Sequence, residues 1–308
     1  MPTFDSVAKR ENVPVPEQVA KDVIKDMARD SVILANARRV PMSTKTYKQP
    51  VLAELPDAYW VNGDTGLKQT SVPKWKDAVL TAEELAVLVP IPDALVDDSS
   101  IPLWNEVKPL LTEAIGRKVD LAALWGDDKP TSWPTAIVPA ATAASQTVNA
   151  TADLTADVAQ LGKALAKAGY AATGFLCEPG FNWQLVSLRG QDGHPIYTPS
   201  LVENQPDRLY GRTLTEVLNG GWKTTSPKAT HLIALDWQKI AVGVRQDFTF
   251  SLFDQMVISD SDGKVIFNAA QQDAKVMRLV FRVGFQVAQP ATRVGSSTAY
   301  PAAVLAEA

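Results

Sequence analysis

The spacing of apolar residues changes several times along the chain, and each change marks an element. From Pro16 to about Arg38, Val19, Val23, Met27 and Ile33/Leu34 recur at helical spacing among charged residues, which predicts an amphipathic helix. Pro14 and Pro16 mark its start and Pro41 its end. Such a helix on an N-terminal arm has no partner within the arm, so its apolar stripe must lie against something else. Next, β-type residues at Tyr47–Leu55 and Asp57–Ala78 flank the turn-rich Asn62-Gly63-Asp64-Thr65-Gly66, which predicts a long hairpin. Its aromatic residues Tyr59, Trp60 and Trp75 are interspersed with polar ones, unlike a core strand pair. A two-stranded ribbon is marginal in water, so this one needs a surface from another element or another subunit.

The run LTAEELAVLVPI, Leu80–Ile91, predicts a buried strand. Asp97-Asp98-Ser99-Ser100 follows as an N-cap cluster for a helix from about Ile101 to Trp125. Trp104, Val107, Leu111, Ile115, Val119 and Ala122 fall near one face of that helix, and Gly126 ends it. Pro109 lies inside it and predicts a kink or a split. Pro130–Asp153, rich in Ala, Thr, Ser and Pro, predicts a short strand and a mobile loop. Thr155–Ala168, ending at Gly169, and Pro179–Leu188 predict helices. Ala172–Cys177, Thr230–Leu235, Ile240–Leu252 and Lys264–Phe267 predict strands, with a turn at Ser259–Gly263. Val276–Val287 alternates apolar and polar residues like a half-buried strand, and the tail from Tyr300 to Ala308 carries no decisive signal. The result is an α+β chain without internal repeats or βαβ alternation.

Composition narrows the classes. With 308 residues, 46% hydrophobic and 21% charged, the chain is long enough for one large or two modest cores and lies far from disordered sequences. A net charge of −4 argues against a protein whose main task is gripping nucleic-acid phosphates. The single cysteine, Cys177, excludes an intrachain disulfide. The first residues lack the apolar core of a signal peptide and no apolar run spans a bilayer, so a soluble cytosolic protein without membrane contact is expected.

Catalytic patterns give no foothold. Nucleophile elbows, phosphate-binding loops and dinucleotide fingerprints are absent from the sequence. His194 and His231 stand outside any ligand-spaced cluster and are read as structural; Cys177 ends the apolar GFLC and is read as a buried, inert thiol. Asp260 and Asp262 with Gly263 suggest a calcium loop, but no glutamate follows at the required distance, so a hairpin turn is preferred. No catalytic residue, metal or cofactor is expected.

Several stretches, in order, resemble the tailed-bacteriophage major capsid family with the Hong Kong 97 fold. ARRVPMSTKTYKQPVL is similar to the family's entry into its extended loop, and Ala58-Tyr59-Trp60-Val61 to its a-x-W-V start. LTAEELAVLVPIPDALVDDS resembles the run ahead of the long helix, and Asp120-Leu121-Ala122-Ala123-Leu124-Trp125-Gly126 matches D-x-A-x-L-x-G. LRGQDGHPIY, ALDWQKIAVGVRQD and the closing RLVFRVGFQVAQPATRV continue the likeness, which covers about Val15 to Val294. The position of the catalytic glutamate in self-cross-linking relatives is Val280 or Phe281 here, so Lys68, Lys74 and Lys76 are not expected to form an isopeptide bond.

The resemblance implies a Hong Kong 97-type α+β fold. It gives residues 1–37 to an N-arm, 51–78 to an extended β-hairpin loop, 38–50, 79–126 and 272–308 to a peripheral domain, and 127–271 to an axial domain. Inter-subunit contacts are expected from Tyr59, Trp60, Val61, Lys68 and Trp75 in the loop and from Val23, Met27, Ile33 and Leu34 in the arm. Trp104, Leu111, Ile115 and Val119 would line the spine helix. The implied function is an icosahedral phage head built from hexamers and pentamers around double-stranded DNA, assembled in the host bacterial cytoplasm. Its implied partners are itself, a portal protein, separate scaffolding and decoration proteins, and DNA contacted weakly and without sequence preference. An encapsulin-type nanocompartment shell and, further off, a cytosolic enzyme are the competing readings.

Overall fold

The computed structural model describes residues 31–61, 68, 70–99, 102–190, 192–199, 207–223, 229–294 and 298–307. The arm up to Asp30, with Val23 and Met27, the turn Asn62–Gly66 and the Ser100–Ile101 step lie outside the described residues.

The chain divides into two compact units, and α3 (Leu103–Leu124), β10 (Ile240–Phe253) and β13 (Ala274–Val287) each begin in one and end in the other. One unit contains Glu83–Gly116 and Gln246–Val283. Its frame is β4 (Glu83–Pro92) running antiparallel to β13, from Pro92 opposite Ala274 to Glu83 opposite Val283. Glu84 and Arg282 are direct partners in that register and form an ion pair at 2.6 Å. Phe281 of β13 stacks on Phe248 of β10 with centroids 4.4 Å apart. Ile91, Leu95 and Leu103 form a small core with Val89, Trp104 and Val107 around it. The hairpin of β11 (Val257–Ser259) and β12 (Val265–Asn268) closes through Asp260, whose Oδ1 accepts the backbone N–H of Asp262 and Lys264. Those two short bonds make the Ser259–Gly263 segment a hairpin turn, as its composition predicts.

The other unit contains Ser31–Ala82, Arg117–Arg245 and Gly284–Ala308. Its centre is a six-stranded sheet in the order β5 (Thr147–Asn149), β14 (Ala302–Ala306), β9 (Thr230–Leu235), β6 (Gly174–Cys177), β8 (Arg212–Glu216), β7 (Arg208–Leu209). Helix α5 (Leu154–Lys167) buries Val158, Leu161 and Leu165 with Phe175, Leu232 and Leu305 of the sheet and with Phe181 and Leu185 of α6 (Phe181–Ser187). In the same unit β1 (Arg38–Pro41) runs parallel to the start of β10, and Val40, Met42, Leu80, Ala82 and Ala241 close a second core. A Cβ at Gly243 would stand 2.2 Å from the Met42 sulfur, so a larger residue there would require the Met42 side chain to move.

A buried carboxylate organises this unit. Asp120 of α3 is wholly inaccessible. Its Oδ1 accepts the Ser31 hydroxyl at 2.6 Å and the Ile33 N–H at 3.1 Å; its Oδ2 accepts the Val32 N–H at 3.1 Å and the Asn219 amide at 2.6 Å. Ser31 is also the N-cap of α1 (Val32–Asn36), accepting the Leu34 N–H. The open N–H groups of a helix start are thus met by a negative charge from another helix. Asn219 in turn accepts the Gly221 N–H, Trp125 donates to the Gly221 carbonyl, and the Trp125 and Trp222 rings meet edge to face at 5.5 Å. Burial pushes the Asp120 carboxyl above its ordinary range, opposed by Ser31, Asn219 and the two backbone donors.

Several expectations are corrected. The first helix ends at Asn36, not Arg38, because Ala37 turns extended and Arg38 begins β1. Leu80–Ile91 is not one buried strand: β3 (Lys74–Thr81) and β4 serve two different pairings, and β4 is half exposed. Asp97-Asp98, expected in the loop ahead of the long helix, ends a helix of its own, α2 (Asp93–Asp98). Pro109 does not split α3; the carbonyl of Asn105 that it leaves without a donor sits at an exposed position. Pro130–Asp153 holds a helix, α4 (Ile137–Ala143), besides β5. β13 is buried on both faces rather than one. The C-terminal tail, without a decisive signal in the sequence, forms β14, entirely buried between β5 and β9.

Replacing Asp120 leaves four donors facing an empty or mismatched site. Asp120→Asn, which sets an amide N–H against those donors, should lower the stability of the isolated subunit by about 3 kcal/mol in urea unfolding. Asn219→Ala should cost about 1–2 kcal/mol.

Candidate contact surface

The hairpin forms, with its paired part nearer the root than the sequence suggests. β2 (Thr46–Glu54) pairs antiparallel with β3, from Thr46 opposite Thr81 to Glu54 opposite Lys74, as a separate two-stranded sheet. Residues directly opposite share a face. Leu80, Ala78 and Val51 are buried on the face that also carries Tyr47, while Leu52 and Trp75 lie opposite each other on the other face. The root is therefore anchored in the chain's own core.

Beyond the root the ribbon turns apolar outward. Trp75 is 65% exposed, Val72 71%, and Trp60 fully exposed; Tyr59 and Val61 are also open. Lys68 is exposed. Lys74 pairs with Glu54 at 2.6 Å, and that contact raises its ammonium above the ordinary value. Exposed aromatic surface on a two-stranded ribbon is the signature of a surface completed by something else.

The other candidate residues divide. Ile33 is fully buried in its own chain, contrary to its expected place in a contact with another subunit; Leu34 beside it is half-buried. Leu111, Ile115 and Val119 lie on the buried side of α3, and Trp104 packs half-buried on Ile91, Leu95 and Leu103. Sequence reasoning missed Trp183, 74% exposed on α6, and Tyr210, in the turn between β7 and β8. It also missed the open apolar positions Leu252, Val257 and Val265 around the β11–β12 hairpin. Trp183 sits within a predicted helix, and its helical spacing does not distinguish an outward tryptophan from an inward one.

Little here supports bond-making chemistry. Cys177 is buried and its thiol is pushed far above the ordinary range, first by burial and then by Glu216, Glu178 and Asp207. His231 does have a carboxylate partner, Glu178 at 2.6 Å, which the sequence reading did not foresee. Among the described residues no group of three or more His, Cys, Asp or Glu is placed to hold a metal ion.

The model of the phage capsid family matches residues 11–292. The major capsid protein of Staphylococcus phage 80alpha is 22% identical over 275 residues, spanning 86% of this chain and 79% of that protein. A solved structure from Microbacterium phage Oxtober96 superposes with a TM-score of 0.83 at 32% identity, covering 95% of this chain and 96% of the other. One from Mycobacterium phage Cain gives 0.83 at 29% identity over 98% and 99%.

Exposure alone generates a contrast. Trp60→Ala and Trp75→Ala should leave the unfolding free energy of the isolated subunit within about 0.5 kcal/mol of the parent in urea titration, whereas Leu80→Ala should cost about 2–5 kcal/mol. Cys177 should resist maleimide labelling until the chain is unfolded.

Proposed function

The chain belongs to the phage capsid family, and on that premise we propose that its outward ribbon and the arm preceding Ser31 are the surfaces through which copies of it build the shell. It is a major capsid protein: a structural subunit of the icosahedral phage head, not an enzyme. Copies of the chain assemble with one another. The nanocompartment reading is not favoured.

The observation that carries the proposal is the split character of the ribbon. Its root is buried against the same subunit, while Trp60, Val72 and Trp75 are largely exposed. Aromatic side chains in that state carry the largest share of binding free energy once covered. A subunit reaching out in this way meets several neighbours, and closure multiplies modest pairwise contacts into a shell that hardly dissociates.

Residues 51–78 act as the extended loop, with Tyr59, Trp60, Val61, Lys68 and Trp75 on a neighbouring subunit. Val23, Met27 and Leu34 act from the arm. Leu111, Ile115 and Val119 make α3 the spine of the peripheral domain, and the six-stranded sheet serves the axial domain around hexamer and pentamer centres. A portal protein occupies one vertex, separate scaffolding and decoration proteins assist, and assembly takes place in the host cytoplasm. Contact with packaged double-stranded DNA is weak and falls steeply with salt, as the net charge of −4 favours.

Purified chain viewed by negative-stain electron microscopy should form closed shells, tubes or capsomer rings. Trp60→Ala combined with Trp75→Ala should raise the concentration needed for assembly at least about tenfold, one hot-spot residue's worth per subunit. A double variant that assembles like the parent removes the ribbon from the proposal.

A further inference from the structure

We propose that Arg293 is a positioning residue: it clasps the chain where it leaves the ribbon and sets the direction in which Tyr59–Trp60–Val61 is presented. The proposal rests on the reading of the ribbon as an inter-subunit contact.

The need for a clasp follows from the ribbon's ladder. The β2–β3 register shifts between Leu52 and Glu54, leaving Ala53 as an extra residue, and such bulges bend a strand. Pairing stops at Glu54, and from Leu55 to Val61 the chain has no regular partner strand. A cavity of about 540 Å³ lies beside the bulge, lined by Ala53, Glu54, Asp57, Tyr170, Pro290 and Arg293, so close packing does not hold the exit there.

Polar contacts from one short segment do. The Ala291 N–H donates to the Leu52 carbonyl at 2.8 Å, just before the bulge. Beyond it, Arg293 Nη1 reaches Asp57 Oδ1 at 3.0 Å while Nη2 donates to the Pro56 carbonyl. A planar guanidinium with two acceptors fixes direction as well as distance. The base of the arginine is itself held: Tyr170 donates its hydroxyl to the Pro290 carbonyl at 3.1 Å, and Thr292 donates its own to Ala168 at 3.1 Å. Asp57 passes the constraint to the returning segment ahead of β3, its N–H donating to the Ser71 hydroxyl at 2.9 Å. Trp60 follows three residues later, so the orientation of the exit becomes the orientation of the aromatic contact.

Exposed ion pairs add little to stability, which separates positioning from folding. Arg293→Asp and Asp57→Arg, alone and together, provide the test on the full chain. Two readouts are taken: the critical concentration for assembly by light scattering, and the distance distribution between spin labels at Trp60→Cys and Gln160→Cys in the free subunit. The buried Cys177 stays unlabelled. Each single variant should broaden the distribution and raise the critical concentration about fivefold, with the urea midpoint unchanged. The pair of reversals should restore both to within about twofold of the parent. Singles that match the parent in both readouts, or a double variant as impaired as the singles, overturn the clasp. If the parent itself does not assemble while Arg293→Asp still broadens the distribution and the reversal narrows it, the contact reading falls and the clasp stands.

Discussion

The four donors gathered on the carboxylate of Asp120 are the constraint on which the larger unit depends. A charge that deep is tolerated only when its lone pairs are filled. Filling them draws together the start of α1, the C-terminal end of α3 and the Asn219–Trp222 loop, which lie about ninety and a hundred residues from Asp120 in sequence. One side chain therefore ties the start of α1 to α3 and fixes the place of the Asn219–Trp222 loop. From Arg38 onward the chain runs directly into β1 and then the ribbon, so the exit of the ribbon inherits the same reference point.

Around that fixed centre the subunit divides its apolar surface in two. Leu80, Ala78 and Val51 are spent on the chain's own core, while Trp60, Val72 and Trp75 are left outside it. A monomer has no use for the second set, and leaving aromatic rings in water forgoes the gain of burying them. In a shell subunit the arrangement is consistent: the anchored root keeps the contact in place before a partner arrives, which reduces the ordering entropy lost on association.

Much of this was legible in the sequence where period and length agree. The apolar spacing of Leu111, Ile115 and Val119 marked α3 to within two residues at each end, and Asp260–Gly263 announced its turn. The hairpin was legible as a ribbon, but the buried face at its root, where Val51, Ala78 and Leu80 pack into the chain's own core, was not. Other features were not. β14 is AAVLA, small residues with no period, and only its place between two strands explains its burial. α2 is six residues directly after Pro92, too short for a periodic signal. Ile33 shows a deeper limit: helical spacing reveals an apolar face but not whose surface covers it, and here the subunit covers it itself. Asp120 stood in the sequence as the first letter of a motif; its role needed partners that only the fold brings near.

Backbone hydrogen exchange, compared between free subunits and assembled shells, tests the central claim most directly. If the ribbon is completed by neighbours, amides in 46–61 and 70–81 should gain protection on assembly, most strongly toward Trp60 and Trp75. Amides around Asp120, at Val32, Ile33 and Gly221, should be equally protected in both states. Unchanged exchange in the ribbon, or protection around Asp120 that appears only in shells, would contradict the account.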